Sequence, residues 1–316
     1  MKTIFTLLCI GFISFTTLAQ SKVITVDNRP NSGADYTNLA TAITNTIVGD
    51  TIYVHPSATV YSAITISKPL VIVAMGHNPA NSSDGERAYV GGITFTGNCA
   101  NTLITGLYIG YINTSGTITN GRNIKIANNR IANYITGNNN VAYEDWVIEG
   151  NIFDSAYVNP NGANGWIIKN NIFNNSSWAM YHFNNTDSFI NNIVINSSVN
   201  FAYNCTNPIV NNNIFILGTV TEVGSTNSTI TFNNNLTYNF DGFSVTSLSG
   251  SNNLDNTNPQ FVDAPSATFN AFYNNNYDLA GTSAAKNAGT DGTDIGVFGA
   301  NFNFDVNGRP DLWYFT

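Results

Sequence analysis

A short pattern recurs six times between residues 123 and 237, in which an apolar run leads to an asparagine and an apolar pair usually follows it. The steps between the last asparagines of successive copies are 22, 20, 21, 21 and 22 residues. A repeat this short cannot bury its own apolar residues, so it must stack on its neighbours as a solenoid. The six asparagines are Asn129, Asn151, Asn171, Asn192, Asn213 and Asn235.

Alignment of the copies on these asparagines predicts which side chains face the interior. The positions three before and two after the asparagine, such as Ile168 and Phe173, are apolar in nearly every copy and should form inward ladders. The asparagine column should mark a bend, because asparagine tolerates unusual backbone angles and can bond to neighbouring coils. The predicted fold is an all-β, single-stranded right-handed parallel β-helix, with asparagine-ladder coils over about residues 102–240.

The two ends of the stack have different patterns. Residues 37–48 form the one convincing helical pattern after the leader, with Leu39, Ala42, Ile43 and Ile47 on one face. Because the end of a solenoid exposes core and unpaired strand edges, we interpret this segment as an N-terminal capping helix. After Asn235 the repeat loosens, and the segment of about 251–316 is predicted to close the stack.

Residues 1–19 have the organisation of a secretory signal peptide, with Lys2, an apolar segment and a small residue, Ala19, before Gln20. The apolar segment is too short for a membrane span, so we expect residues 20–316 to be one exported domain without a transmembrane segment. We expect a secreted or cell-surface monomer. Cys99 and Cys205 lie about five coils apart, too far for a disulfide, and are predicted to be unpaired thiols.

Charged residues are scarce, at 9% of the chain, and the net charge is −8. In an average globular protein about a quarter of all residues are charged. Uncharged polar residues, chiefly Asn, Thr, Ser and Gly, take their place and suit turns and solvent-facing strand positions. A basic surface is absent, which argues against a nucleic-acid partner.

Three segments together resemble exported bacterial right-handed parallel β-helix proteins of the pectate-lyase-like superfamily. They are the opening DYTNLATAITNTIVGDTIYVHPS (35–57), the asparagine coils, and the ending NPQFVD…YDLAGTSAAKNAGTDGTDIGVFG (258–299). The ending is similar to that of choice-of-anchor Q domain proteins, although Ala285 stands where proline is usual. The superfamily includes pectate, alginate and chondroitin lyases and many surface proteins of no known activity, so the resemblance implies fold and export more than chemistry.

The resemblance implies that a lyase would need a basic residue as its base and a cation or arginine beside the substrate carboxylate. Lys169 and Glu149 share one slot in neighbouring coils, two before the asparagine, and are predicted to face solvent about 5 Å apart. They are our candidate catalytic residues, and the alternative is a plain cross-strand ion pair. The candidate binding residues around them are Arg122, Lys125, Arg130, Glu144 and Asp145.

Other chemical groups give weaker signals. His182 beside Tyr181 and Asp187 could do acid–base work, but an ordinary surface histidine explains it as well. Asp291 and Asp294 could belong to a calcium loop or to tight turns. No lyase calcium motif is recognisable, so we predict no metal site and no cofactor, with calcium left as a possibility.

Aromatic residues that could stack on sugar rings include Tyr134, Tyr143 and Tyr181. Trp146 and Trp166 share a slot with isoleucines of other coils and are predicted to be core. Trp178 lies seven residues after its asparagine, where other coils carry valine, and it is also predicted to be buried.

The leading functional hypothesis is a non-catalytic exported β-helix whose polar face binds a glycan or other cell-envelope material. The alternative is a carbohydrate-active enzyme, a polysaccharide lyase that acts on acidic polysaccharide. A third use, ice or mineral binding, would need threonines in register from coil to coil, and they are not in register here.

Overall fold

The structure is a computed structural model that describes residues 21–138, 141–183, 186–201, 208–222, 230–241, 249–263 and 273–310. The predicted signal peptide and Cys205 lie outside the described residues. Within them the chain forms a parallel β-solenoid, so the predicted all-β parallel β-helix fold is confirmed. Most of its strands are short, three or four residues, because the chain bends after each of them.

The helices and strands have the following bounds. In the described part of the chain one α-helix, α1, spans Leu39–Asn45, and short 3-10 turns span Pro79–Asn81, Val141–Tyr143 and Gly299–Asn301. The strands are β1 (Val23–Val26), β2 (Thr51–Val54), β3 (Ile64–Ile66), β4 (Val71–Val73), β5 (Tyr89–Val90), β6 (Ile93–Asn98), β7 (Leu103–Thr105), β8 (Tyr108–Asn120), β9 (Lys125–Ala127), β10 (Arg130–Thr136), β11 (Val147–Glu149), β12 (Ile152–Asp154), β13 (Tyr157–Asn159), β14 (Ile167–Lys169), β15 (Ile172–Asn174), β16 (Ser188–Ile190), β17 (Ile193–Ile195), β18 (Ser198–Asn200), β19 (Ile209–Asn211), β20 (Ile214–Ile216), β21 (Thr219–Glu222), β22 (Thr231–Asn233) and β23 (Leu236–Tyr238).

Two long parallel sheets make up most of the stack. Sheet 1 has the order β1-β2-β4-β7-β9-β11-β14-β16-β19-β22, and each strand pairs with the strand of the next coil. Sheet 2 has the order β3-β6-β8-β10-β12-β15-β17-β20-β23. Outside this order, β5 pairs with β8 and β13 pairs with β10. A smaller sheet, β18 with β21, forms part of the third face. From β2 onward each coil therefore contributes one strand to sheet 1 and one to the main order of sheet 2.

The core contains the two inward columns that the repeat predicts. In sheet 1, Ile168 pairs with Ile148 on one side and Phe189 on the other, and all three are fully buried. In sheet 2, Phe153 and Phe173 stack face to face with ring centroids 4.4 Å apart. Because the side chains of a strand alternate between its faces, these in-register positions all point into the interior.

The asparagines between these columns hydrogen-bond along the stack. The Asn151 amide N–H donates to Asn171 Oδ1 over 2.9 Å, and Asn151 Nδ2 donates to the same oxygen over 3.0 Å. The same pair of bonds joins each asparagine of the column to the next coil. The series continues to Asn253, beyond the six repeats, and begins at the Leu107 N–H, which donates to Asn129.

Helix α1 is shorter than the predicted 37–48 segment. Its first turn is capped by Asn38, whose side chain accepts the Thr41 N–H, and Leu39, Ala42 and Ile43 are buried against β1, β2 and β3. Ile47, which we predicted to lie on the same face, is instead 42% exposed because the helix ends before it. That α1 caps the stack stays a prediction. No helix among the described residues has the length and apolarity to cross a bilayer.

The C-terminal part of the chain continues the stack and then runs back along it. Residues 249–257 add one more coil against β22 and β23, as the Leu254 N–H bond to Asn235 O shows. Residues 277–310, called here the strap, then run back along the outside of the solenoid. Strap residues Leu279, Ile295 and Val297 pack on the outward apolar column of sheet 2, which contains Ile152, Ile172, Ile193, Ile214 and Leu236.

A second asparagine column anchors the strap. These asparagines directly precede the ladder asparagines and have left-handed backbone, with φ of 53° at Asn170 and 58° at Asn212. Asn170 Nδ2 donates to Val297 O and Gly299 O, each over 3.0 Å, and Asn212 Nδ2 donates to Thr290 Oγ1. The strap therefore runs along the bend between sheet 1 and sheet 2 and contacts this bend in several coils.

Two neighbouring isoleucines on β14 test which face of the strand points into the core. Ile168→Ala should lower the free energy of unfolding by about 2–5 kcal/mol, because it opens a cavity in the column. Ile167→Ala, its matched control on the same strand, should change it by less than about 0.5 kcal/mol, since Ile167 is 38% exposed. Urea denaturation of both variants measures the difference, and equal losses would mean that the two faces are misassigned.

Candidate functional site

The structure separates the predicted charged patch into three groups of ion pairs. Arg122, Glu144 and Asp145 lie in the turns that lead into sheet 1. Lys125, Glu149 and Lys169 lie on the outer face of sheet 1, and Arg130 lies on sheet 2 with Asp154. Every basic residue of the predicted patch thus has an acidic partner.

Glu149 is the centre of the group on sheet 1. Its carboxylate receives Lys125 Nζ at 2.5 Å on one side and Lys169 Nζ at 3.1 Å on the other. We predicted that Glu149 and Lys169 face solvent together, and for Glu149 this is wrong, because its side chain is only 6% exposed. Two lysines cover it from neighbouring coils, and the strap residue Phe302 lies against the adjacent Gly150.

Burial alone would raise the pKa of Glu149. The hydrogen bond and positive charge of Lys125, with the charge of Lys169, outweigh burial and hold that pKa below its ordinary value of 4.5. The carboxylate therefore stays ionised at neutral pH and holds two ammonium groups in place. One carboxylate and two ammonium groups leave a local charge of +1. Solvent reaches part of this charge at Lys169, whose side chain is partly exposed.

The remaining predicted binding residues are held in structural contacts. Arg122 pairs with Glu144 and lies 3.6 Å from Asp145, at the surface. Arg130 pairs with Asp154, donates to Tyr273 Oη over 2.9 Å and is 15% exposed. It lies between the rings of Tyr108 and Tyr273, each with its centroid 5.4 Å from the guanidinium carbon. Arg130 thus links sheet 2 to Tyr273, which comes much later in the chain.

The three aspartates among the other candidates are explained by local structure. Asp187 is buried, and its Oδ1 accepts the backbone N–H of Trp166 over 2.9 Å, a bond that holds two coils together. Asp291 accepts from Thr293, and Asp294 accepts from Lys286 and the Asn287 N–H, as in tight turns. Among the described residues, no group of three or more His, Cys, Asp and Glu could hold a metal ion.

The aromatic predictions divide into one that is confirmed and one that is wrong. Trp146 and Trp166 are fully buried and stack at 4.5 Å, as predicted for core residues. Trp178 was predicted to be buried but is 42% exposed. Two extra residues in its coil give the inward slot to Met180, which pairs with Val158, and push Trp178 outside. Its ring stacks on Tyr181 with centroids 4.7 Å apart.

A polar groove of about 440 Å³ runs along the bend that follows sheet 2. Four successive coils contribute to it, each through the short turn after its sheet 2 strand. Amides, hydroxyls and one carboxylate dominate the lining, which consists of residues 175–177, 196–198, 217–219, 239 and 241. We refer to these residues as the polar groove.

Backbone conformation places these side chains in the polar groove. The residue directly after each of the sheet 2 strands β15, β17 and β23 is left-handed, with φ of 52° at Asn175, 45° at Asn196 and 47° at Asn239. Asparagine adopts this conformation more readily than most residues. Leu217 holds the same position with φ of 54° and is 39% exposed. A bulky residue with positive φ is unusual, and such strain concentrates at functional sites.

Side chains of neighbouring coils align within the polar groove. Asn196 Nδ2 donates to Asn175 Oδ1 over 3.1 Å. Ser198 Oγ and Thr219 Oγ1 share a hydrogen bond of 3.1 Å. Asp241 is exposed at one end and pairs through its backbone with Thr219. The result is a row of exposed donors and acceptors that repeats once per coil along the axis.

Sequence reasoning did not find this groove. The signal was present as a polar residue, Asn175, Asn196 or Asn239, that follows the sheet 2 strand in three of four coils. Their shared orientation becomes visible only when the coils are stacked.

Comparison with known proteins adds little beyond the architecture. No protein-family model matches the chain, and no curated protein matches its sequence. Among solved structures, the crystal structure of pectate lyase Pel9A is similar with a TM-score of 0.38 and 12% identity, over 89% of this chain and 97% of that one. A likeness this low carries no argument about activity.

The ion pairs of Glu149 predict a specific dependence of stability on pH. Because its pKa is lower in the folded state, its stabilising effect is present above about pH 4.5 and is lost as the pH falls further. Glu149→Gln should therefore lower the free energy of unfolding by about 1.5–3 kcal/mol at pH 7. The difference from the wild type should shrink toward pH 3 in urea denaturation, and a difference independent of pH would contradict the assigned ion pairs.

Proposed function

We propose that this protein binds an uncharged polysaccharide along the polar groove and performs no chemistry on it. The observation that carries the proposal is the alignment of exposed amide and hydroxyl groups over successive coils. Sugar hydroxyls both donate and accept hydrogen bonds, and asparagine, serine and threonine side chains offer both functions. A groove that repeats every ~4.8 Å suits an extended polymer better than a compact ligand.

Electrostatics favour a neutral ligand over an acidic one. The chain has a net charge of −8, and the one charged side chain in the polar groove is the carboxylate of Asp241. An anionic polymer would be repelled at long range by the protein and at short range by Asp241. An uncharged glycan meets neither penalty.

Trp178 supports the same proposal at the edge of the polar groove. Ser177 lines the groove, and the next residue, Trp178, exposes 42% of its surface while its ring stacks on Tyr181. An indole ring held by a stacked neighbour offers a rigid apolar face beside a polar row. That combination suits a sugar ring, which has apolar C–H faces and polar edges.

The lyase alternative would use Lys169 as base with Glu149 beside it. The geometry disfavours this reading, because Glu149 is buried and engaged by two lysines, and Lys169 is itself in an ion pair. A base must reach the substrate proton, and an ammonium group paired with a carboxylate is poorly suited to accept it.

Two substitutions, one beside the polar groove and one within it, test the binding proposal. The purified chain from Gln20 onward would be screened against cellulose, xylan, mannan, chitin and β-glucan, then titrated by calorimetry with oligosaccharides of the polymer it retains. Trp178→Ala should weaken binding roughly two- to tenfold through lost stacking. Thr219→Ala should have an effect of similar size, about 0.5–1.5 kcal/mol, through a lost hydrogen bond.

Thr231→Ala is the matched control, because Thr231 is an exposed threonine on the outer face of sheet 1, away from the polar groove. It should leave binding unchanged. Retention of no neutral glycan, or equal affinity in all three variants, would contradict the proposal. So would the appearance of ultraviolet-absorbing unsaturated sugar from pectate, alginate or glycosaminoglycans, if it is lost in Lys169→Ala.

A further inference from the structure

A row of tyrosines lies on the outer surface of the coils that precede the polar groove. Tyr134 pairs with Tyr111 on one side and with Tyr157 on the other, so the three hold equivalent positions in successive coils. The residue after each of them is fully buried, and these residues are Ile112, Ile135 and Val158. Since the side chains of a strand alternate between its faces, the tyrosines face outward, and each is partly exposed. We call these three residues the tyrosine row.

The rings of the tyrosine row stack on one another. The centroids of Tyr111 and Tyr134 are 5.6 Å apart, and those of Tyr134 and Tyr157 are 5.7 Å apart. Because each ring is held by its neighbours, little side-chain freedom remains to be lost when a ligand binds. Burial, together with the neighbouring phenols of Tyr134 and Tyr181, raises the pKa of Tyr157 above its ordinary value of 10.0. The Tyr157 hydroxyl therefore keeps its proton at neutral pH.

The tyrosine row and the polar groove belong to one column of the solenoid. Ala179 holds the position one coil after Tyr157, and its N–H donates to Ser198 O in the next coil over 2.7 Å. Ser198 pairs with Thr219, and Thr219 pairs with Asp241 at the end of the polar groove. The column thus passes through seven successive coils at Tyr111, Tyr134, Tyr157, Ala179, Ser198, Thr219 and Asp241.

Two further aromatic residues lie where the parts of this column meet. Trp178 directly precedes Ala179, which is fully buried, and the Trp178 ring stacks on that of Tyr181. The Tyr181 N–H donates to Val158 O over 3.1 Å, which holds the pair against the last coil of the tyrosine row. On its other side Trp178 adjoins Ser177, which lines the polar groove. Trp178 therefore connects the tyrosine row to the polar groove.

The tyrosine row offers both kinds of contact that a sugar makes. A phenolic hydroxyl donates and accepts hydrogen bonds, as sugar hydroxyls do. The ring carries an apolar body beside this polar tip, which suits a ligand with C–H and O–H groups on one surface. Among the seven residues of the column, Asp241 at the far end is the one with a charged side chain. A charged polymer would find no repeated counter-charge along this column.

We propose that the tyrosine row is a second part of the polysaccharide site, so that one extended uncharged chain lies across both the tyrosine row and the polar groove. This inference rests on the proposed function and adds a requirement for chain length to it. At ~4.8 Å per coil, the column from Ala179 to Asp241 covers about 14 Å, and the steps back to Tyr111 add about 14 Å more. The site therefore fits a long oligosaccharide, and a short one leaves half of it empty.

Oligosaccharides of increasing length test this inference. The probes are cello-, xylo-, manno- and chito-oligosaccharides from the disaccharide upward, titrated by calorimetry into the purified chain from Gln20 onward. The wild-type affinity should rise with length until the whole column is filled. Tyr134→Ser should weaken binding of the longest oligosaccharides roughly two- to tenfold and leave the shortest that bind in the polar groove unchanged. In this variant the affinity should stop rising at a shorter length.

Tyr53→Ser is the matched control, because Tyr53 is a partly exposed tyrosine on the outer face of sheet 1. It should leave binding unchanged at every length, with circular dichroism reporting whether each variant is folded. If Tyr134→Ser does not fold, Tyr134→Phe decides the question, since it keeps the stacked ring and removes the hydroxyl. The phenylalanine variant should weaken binding of long oligosaccharides at least about twofold.

The outcomes separate this inference from the proposed function. Wild-type affinity for long oligosaccharides in the deciding Tyr134 variant, beside weakened binding in Thr219→Ala, would overturn the inference and leave the polar groove as the site. A loss in the Tyr134 variant without a loss in Thr219→Ala would place the ligand on the tyrosine row alone and overturn both. Failure of every neutral oligosaccharide to bind the wild type would also overturn both.

Discussion

The side-chain hydrogen bonds of the asparagine column are the interaction on which the other features depend. Each Oδ1 accepts a backbone N–H and a side-chain N–H from the preceding coil, while Nδ2 also reaches back to a main-chain oxygen, as Asn171 does to Ile148 O. A buried amide without partners costs about 1–3 kcal/mol. A coil that slipped by one residue would lose these bonds and turn its apolar side chains outward, so the column selects one register.

Two bends of the coil follow from that register, and the protein uses them differently. At the bend before sheet 2, the left-handed asparagines point outward and hold the strap, as Asn170 and Asn212 show. Gly150 holds that position in one coil, where a Cβ would lie 3.0 Å from Phe302. At the bend after sheet 2, the same backbone conformation directs Asn175 and Asn196 into the polar groove. One bend is covered by the chain itself and the other is open to a ligand.

The regular repeat made the core predictable from sequence. The features that lie outside the repeat, or that form only between coils, could not be predicted. Ile168 could be placed inside from sequence because the step between copies and the alternation of a strand leave one choice. Trp178 could not, because two extra residues shift the register within a single coil. The burial of Glu149 depends on lysines from both neighbouring coils, and the strap that passes nearby comes from residues without a repeat. The polar groove likewise exists only between coils, and no single copy of the repeat contains it.

Native-state hydrogen exchange tests the role of the asparagine column most directly. The backbone N–H groups of Asn129, Asn151, Asn171, Asn192 and Asn213 donate to buried side-chain oxygens. If the column sets the register, these groups should exchange only through global unfolding, at a free energy equal to that from denaturation. Exchange of these amides through local opening, as fast as that of exposed turn residues such as Asn175 and Asn196, would contradict the account.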